Sequence, residues 1–115
     1  MNFKNEIKSI LLFKDMSIRN LNDTLNKLTG SDCSYFNFNR KLGSTSITLT
    51  EVLNITNILN YSIICKKENF YLNISKQDIK DTSLTFTHFL NSLDILGIKV
   101  ALVENDVESD FDKEW

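Results

Sequence analysis

Residues 36–63, FNFNRKLGSTSITLTEVLNITNILNYSI, carry a pattern that returns in residues 72–100, LNISKQDIKDTSLTFTHFLNSLDILGIKV. Thr45, Ser46, Thr48, Thr50, Leu53, Asn54, Ile58 and Leu59 recur 37 positions later as Thr82, Ser83, Thr85, Thr87, Leu90, Asn91, Ile95 and Leu96, with one extra residue near Asp78. A constant offset of this kind marks a repeated supersecondary unit. The unit reads as a short helix, a hydroxyl-rich turn, an amphipathic helix and a strand. Two further helices precede the first copy and none precedes the second.

Upstream of the first copy, Phe3, Ile7, Ile10 and Leu11 fall at helical spacing, which predicts a helix ending near Lys14. Ser17 is a good N-cap for a second helix with Ile18, Leu21, Leu25 and Leu28 on one stripe, stopped by Gly30 in the left-handed C-cap role. Ser31 or Asp32 caps a third, short helix through Leu42, with Tyr35, Phe38 and Leu42 inward and Gly43 at its end. Thr48 or Thr50 opens a fourth, packed through Leu49, Val52, Leu53, part of Ile55, Ile58 and Leu59.

After Asn60 the apolar period changes from 3.6 to 2. Tyr61-Ser62-Ile63-Ile64-Cys65 and Phe70-Tyr71-Leu72-Asn73-Ile74 read as strands joined by the turn Lys66-Lys67-Glu68-Asn69, a β-hairpin. The second copy adds a weak helical turn at 76–80, a firm helix over about 85–96 capped by Gly97, and a third strand over 98–103. Phe86, Phe89, Leu90, Leu93 and Leu96 give that helix a wide apolar face, a dimer surface where the core leaves it uncovered. His88, the single histidine, reads as structural or surface rather than catalytic. The expected fold is therefore α+β: a four-helix N-terminal unit, a hairpin, then a helix and a strand completing a small antiparallel or mixed sheet. The expected division is 1–60, 61–103 and an acidic tail, 104–115.

Bulk composition sets limits on the class. The chain has 115 residues, 42% hydrophobic and 24% charged, which is ordinary for a globule with a respectable core. No apolar run reaches membrane-span length, and the charged start MNFKNEIKSILLFKD reads as neither signal peptide nor anchor. Cys33 and Cys65 are too few for a disulfide framework and lack His neighbours for a metal site. No Gly-rich phosphate loop, HExxH, CxxC or Ser/His/Asp set is present, so no enzyme, cofactor or metal is expected. A location in the cytoplasm of a bacterial or phage-infected cell fits these features. The lack of Pro and the abundance of Asn, Ile and Lys suggest an AT-rich phage, plasmid or bacterial genome.

The formal charge of −2 conceals a split. Residues 1–67 hold nine Lys/Arg against five acids, a net +4; residues 68–115 hold four Lys against ten acids, a net −6. A basic front suits a polyanion, and an acidic rear suits a basic partner or simple solvation.

The pattern Ser17-x-x-x-Leu21, Leu25, the Gly30 turn, Tyr35, Phe38, Leu42 and Val52…Ile55…Leu59 resembles the Cro/phage-repressor (Xre-like) helix-turn-helix family. The likeness covers residues 3–65. Asn37-Phe38-Asn39-Arg40-Lys41-Leu42, Thr45…Ile47, Glu51-Val52-Leu53 and a strand opening with Tyr61 look like the branch that ends in a short strand or hairpin. The partial copy at 72–103 repeats only the rear of the motif. This sequence departs from the family at Asn22, where a small residue is usual, in a loose-looking turn at 29–33, and in lacking Pro near 48.

The resemblance implies a small sequence-specific DNA-binding regulator with its third helix in the major groove. Carried over, the groove-facing residues are Ser34, Asn37, Arg40 and Lys41; Asn reads adenine and Arg reads guanine bidentately. Ser44, Thr45 and Thr48 are placed for phosphates, and Lys66 and Lys67 for a backbone-contacting wing. The implied partners are double-stranded DNA and a second copy of the chain, since one short helix reads few base pairs. An alternative comes from charge: Asp106, Glu108, Asp110 and Asp112 alternate along the tail and would grip a basic protein, which suggests an inhibitor of a nucleic-acid enzyme. The simpler reading of the same tail is a solubilising end.

Overall fold

Thr48 and Thr85, the equivalent threonines of the two copies, are joined by an antiparallel backbone bridge. Around that bridge the architecture becomes legible. The computed structural model describes residues 1–105. The elements are α1 (Phe3–Phe13), α2 (Ile18–Thr29), α3 (Tyr35–Leu42), α4 (Leu49–Ile58), β1 (Tyr61–Lys67), β2 (Phe70–Ile74), a 3-10 turn (Lys76–Asp78), α5 (Phe86–Ile95) and β3 (Lys99–Glu104). Among the described residues, five helices and a three-stranded sheet make the fold α+β, and that sheet is antiparallel throughout, in the order β2-β1-β3.

The chain divides into two compact units, Met1–Ile47 and one starting at Thr48. The sequence reading set its first boundary after residue 60. The fourth helix instead groups with the sheet: beside the Thr48–Thr85 bridge, the Leu49 N–H donates to the Leu84 carbonyl at 2.9 Å, and α4 lies along β1. Backbone bonds of that kind are invisible to a reading of apolar periodicity.

In the first unit, each helix starts on a side-chain cap. Asn2 Oδ1 accepts from the Asn5 N–H, Ser17 Oγ from Asn20 and Ser34 Oγ from Asn37. Such bonds satisfy amides that the first turn leaves orphaned. Gly30 closes α2 at φ 69°, a left-handed conformation that glycine adopts without strain. Phe3, Ile7, Ile10 and Leu11 of α1 are buried, as are Leu21 and Leu25 of α2 and Phe38 and Leu42 of α3. Two expectations fail here. Leu28 lies exposed, with Asn22 buried in its stead, and the cap of α3 is Ser34 rather than Ser31 or Asp32.

The second unit is organised by an internal two-fold. Thr48 pairs with Thr85, and within the sheet Ile64 pairs with Ala101; both pairs join residues 37 apart, the offset of the sequence repeat. A residue paired with its own repeat equivalent lies on the axis relating the copies. α4 and α5 obey the same offset, as do Asn60 (φ 62°) and Gly97 (φ 74°) after them. The copies differ in cover. α4 buries Leu49, Val52, Leu53, Ile55 and Thr56, whereas α5 buries Phe86 alone. Leu59 is 1% exposed and its equivalent Leu96 is 57% exposed. The expected apolar face of α5 is thus half open: Phe89, Leu90 and Leu93 are half-buried, and Ile95 is 84% exposed.

Candidate nucleic-acid interface

A five-residue link joins α2 to α3, and its rigidity decides whether α3 can present side chains to a duplex. Asn26, one turn before the end of α2, holds the link. Its Oδ1 accepts from the Cys33 N–H at 3.0 Å and from Ser31 Oγ at 3.0 Å, while its Nδ2 donates to the Cys33 carbonyl at 2.9 Å. Asn22, one turn earlier on the same face, donates its Nδ2 to that same carbonyl, also at 2.9 Å. The link is therefore clasped, contrary to its loose reading in sequence. Asn22 is only 3% exposed, and its Oδ1 has no hydrogen-bond partner in the structure, so the polar residue is buried for one bond. The signal was present as two asparagines four apart, a spacing that places both on one helix face.

α3 presents the candidate residues unevenly. Asn37 and Arg40 are exposed one turn apart, and Arg40 Nη2 donates to Asn37 Oδ1 at 3.5 Å. Ser34 is exposed, but its hydroxyl is occupied as the helix cap. Lys41 is half-buried. Tyr35, expected inward, faces outward instead, with the Arg19 guanidinium 4.4 Å from its ring centroid. Arg on an aromatic face is a cation–π pair that keeps the charge at the surface. Phe36 is 72% exposed, an apolar side chain beside Asn37 and Arg40 that the sequence reading did not single out. Apolar groups of this kind contact thymine methyls in major grooves.

The hydroxyl candidates divide. Ser44 is half-buried and shares a hydrogen bond with Ser46 at 2.7 Å, while Thr45 is exposed. Thr48 is engaged in a capping box: its Oγ1 accepts from the Glu51 N–H, and Glu51 Oε1 accepts from the Thr48 N–H at 2.9 Å. That role fixes the start of α4, and it resolves the choice between Thr48 and Thr50.

Lys66 and Lys67 lie within β1, because the hairpin turn is only Glu68-Asn69, with Glu68 at φ 54°. Lys66 sits with its ammonium 5.2 Å from the Tyr71 ring centroid. Lys67 Nζ donates to the Leu96 carbonyl at 2.9 Å, where a cation meets the negative end of α5. Both lysines thus have local partners within their own unit.

Among the described residues, two titrating groups depart from their ordinary values. Burial pushes the Cys65 thiol up, and hydrogen bonds from Ser83 hold the exposed Asp81 carboxyl down. Among the described residues no cluster of His, Cys, Asp and Glu is arranged to hold a metal ion, and no helix is long and apolar enough to cross a membrane. Asp106, Glu108, Asp110 and Asp112 lie outside the described residues. No family model, no curated protein and no solved structure matches this chain.

Proposed function

We propose that this chain is a sequence-specific binder of double-stranded DNA, a small regulator of the Xre-like kind that acts as a homodimer rather than as an enzyme. One observation carries the reading: exposed Asn37 and Arg40 stand side by side on a short helix whose approach is clasped by Asn26 and Asn22. A recognition helix needs few base-reading side chains, but it needs them held still, since loosely held groups lose affinity to ordering entropy. Arg40 would read guanine and Asn37 adenine, with Phe36 against thymine methyls. Lys41, Ser44 and Thr45 would hold phosphates. Thr48, Lys66 and Lys67, which serve as a helix cap, a cation over Tyr71 and a donor to the Leu96 carbonyl, are further candidates for phosphate contact.

The test is selection of binding sites from a random duplex pool, followed by gel-shift titration. Arg40→Ala is expected to weaken the selected site by roughly tenfold to a hundredfold, the worth of one bidentate base contact. Equal binding by wild type and the Arg40→Ala/Lys41→Ala double variant would reject the residue assignment.

A second reading rests on charge. The net −6 of residues 68–115 suits a basic protein surface, and an inhibitor of a nucleic-acid enzyme would use Asp106, Glu108, Asp110 and Asp112 there. It is favoured by pull-down of a nuclease that is lost on neutralising those four carboxylates, together with no gel shift at low salt. In either reading the site of action is the cytoplasm of a bacterial or phage-infected cell.

A further inference from the structure

Three glycines occur in the chain, and two of them, Gly30 and Gly97, hold a positive φ that accounts for their type. Gly43, the C-cap of α3, does not: its φ of −97° is open to residues of any type. What the position lacks is room. A Cβ there would lie 3.3 Å from Lys4 Cδ and 4.0 Å from Lys4 Nζ, so the stem of Lys4, on α1, lies across the end of α3. We propose that the Lys4 ammonium binds a phosphate oxygen of duplex DNA at this exit from the candidate recognition helix. The inference rests on the DNA-binding reading and brings α1 into the interface.

Backbone donors already close the end of α3. The Gly43 N–H donates to the Arg40 carbonyl at 3.2 Å and the Ser44 N–H to the Lys41 carbonyl at 3.0 Å. α5 shows the other arrangement, in which a lysine serves the helix end: Lys67 Nζ donates to the Leu96 carbonyl at 2.9 Å. Among the described residues, Lys4 makes no such hydrogen bond and no ion pair, although its stem is half-buried. A lysine lays its stem along the protein and keeps its charged head in water. An ammonium held out in that way meets a phosphate as a point charge.

The surroundings suit an anion. Lys8 is exposed one turn further along the same side of α1, while Glu6, two residues from Lys4, lies on another side. Gly43, Thr45 and Ser46 are exposed in the turn after α3, and Ser44 Oγ accepts from the Ser46 N–H at 3.0 Å, which fixes the course of that turn. Residues 1–47 hold seven Lys/Arg against four acids, so the unit as a whole attracts a polyanion. The glycine is thus the space through which α1 delivers a cation to the turn.

The test is gel-shift titration of a selected duplex and an unrelated one over a range of salt, for wild type, Lys4→Met and Lys4→Arg. Methionine keeps an unbranched stem across Gly43 and removes the charge. Lys4→Met is expected to weaken both duplexes alike. It should also flatten the slope of log affinity against log salt by about 2, since a dimer carries Lys4 twice at about 0.9 each. Lys4→Arg is expected to keep the wild-type slope. An unchanged slope in Lys4→Met, with wild type still shifting DNA, would overturn this proposal alone; a fall in Tm beside it would assign Lys4 to the closure of α3. Equal flattening by Lys4→Arg also counts against the charge as the cause. No shift of either duplex by wild type at low salt would overturn the DNA reading and this inference with it.

Discussion

At the scale of single residues, the two clasping asparagines are unequal. Asn26 makes three hydrogen bonds, and its loss leaves the Cys33 N–H without its side-chain acceptor. Asn22 makes one, to a carbonyl that Asn26 also serves, and carries an orphaned buried oxygen. Truncating a shared donor costs little, whereas stranding a part-buried N–H costs about 1–3 kcal/mol. Chemical denaturation should therefore place Asn26→Ala about 1–3 kcal/mol below wild type and Asn22→Ala within about 1 kcal/mol of it. Cys65 gives a pH effect of definite sign. Its folded pKa is raised by burial, so its contribution is fully present below the unfolded thiol's pKa of about 8.5 and is lost as pH rises toward the folded value. Stability measured from pH 7 to 10 should fall at the alkaline end in wild type and fall less in Cys65→Ala.

Between elements, the repeat shows how one sequence pattern meets two fates. Thr48 caps α4 in a reciprocal box with Glu51, whereas at the equivalent place in α5 the partner is His88, which returns no carboxylate. Thr85 Oγ1 still accepts from the His88 N–H at 3.1 Å, so α5 keeps half of the cap. Capping threonines contribute about 1 kcal/mol, and a box satisfies two orphan amides instead of one. Thr48→Ala is expected to destabilise by about 1–2 kcal/mol and Thr85→Ala by about half as much, read from thermal unfolding. Equal losses would mean that the reciprocal bond from the Thr48 N–H to Glu51 adds nothing to the cap of α4. The weak turn expected at 76–80 is a three-residue 3-10 turn, held by Asp78 Oδ2 accepting from the Ser75 N–H at 2.9 Å.

For the molecule as a whole, the proposed homodimer has a quantitative consequence. Each phosphate neutralised contributes about −0.9 to the slope of log affinity against log salt. A dimer carries Lys41 twice, so Lys41→Ala should flatten that slope by about 2 and weaken all sequences alike. Arg40→Ala should instead relax base preference and leave the slope nearly unchanged. A change of about 1 on Lys41→Ala would indicate that one protomer alone engages the duplex.

The string alone sets the helices, their order and the hairpin, because Phe3, Ile7 and Ile10, Ser17, Gly30 and the change of period after Asn60 act over a single turn or strand pair. It also determined the repeat, since an offset of 37 is a property of the string. Tertiary contact, by contrast, sets Thr48 with Thr85, closes Asn22 and Asn26 on one carbonyl, and turns Tyr35 outward onto Arg19. It also decided that the apolar face of α5, unlike that of α4, stays half open. Those outcomes depend on which backbone groups and side chains meet across the chain. Local periodicity holds no record of such meetings: a helix face has the same sequence signature whether or not something comes to cover it.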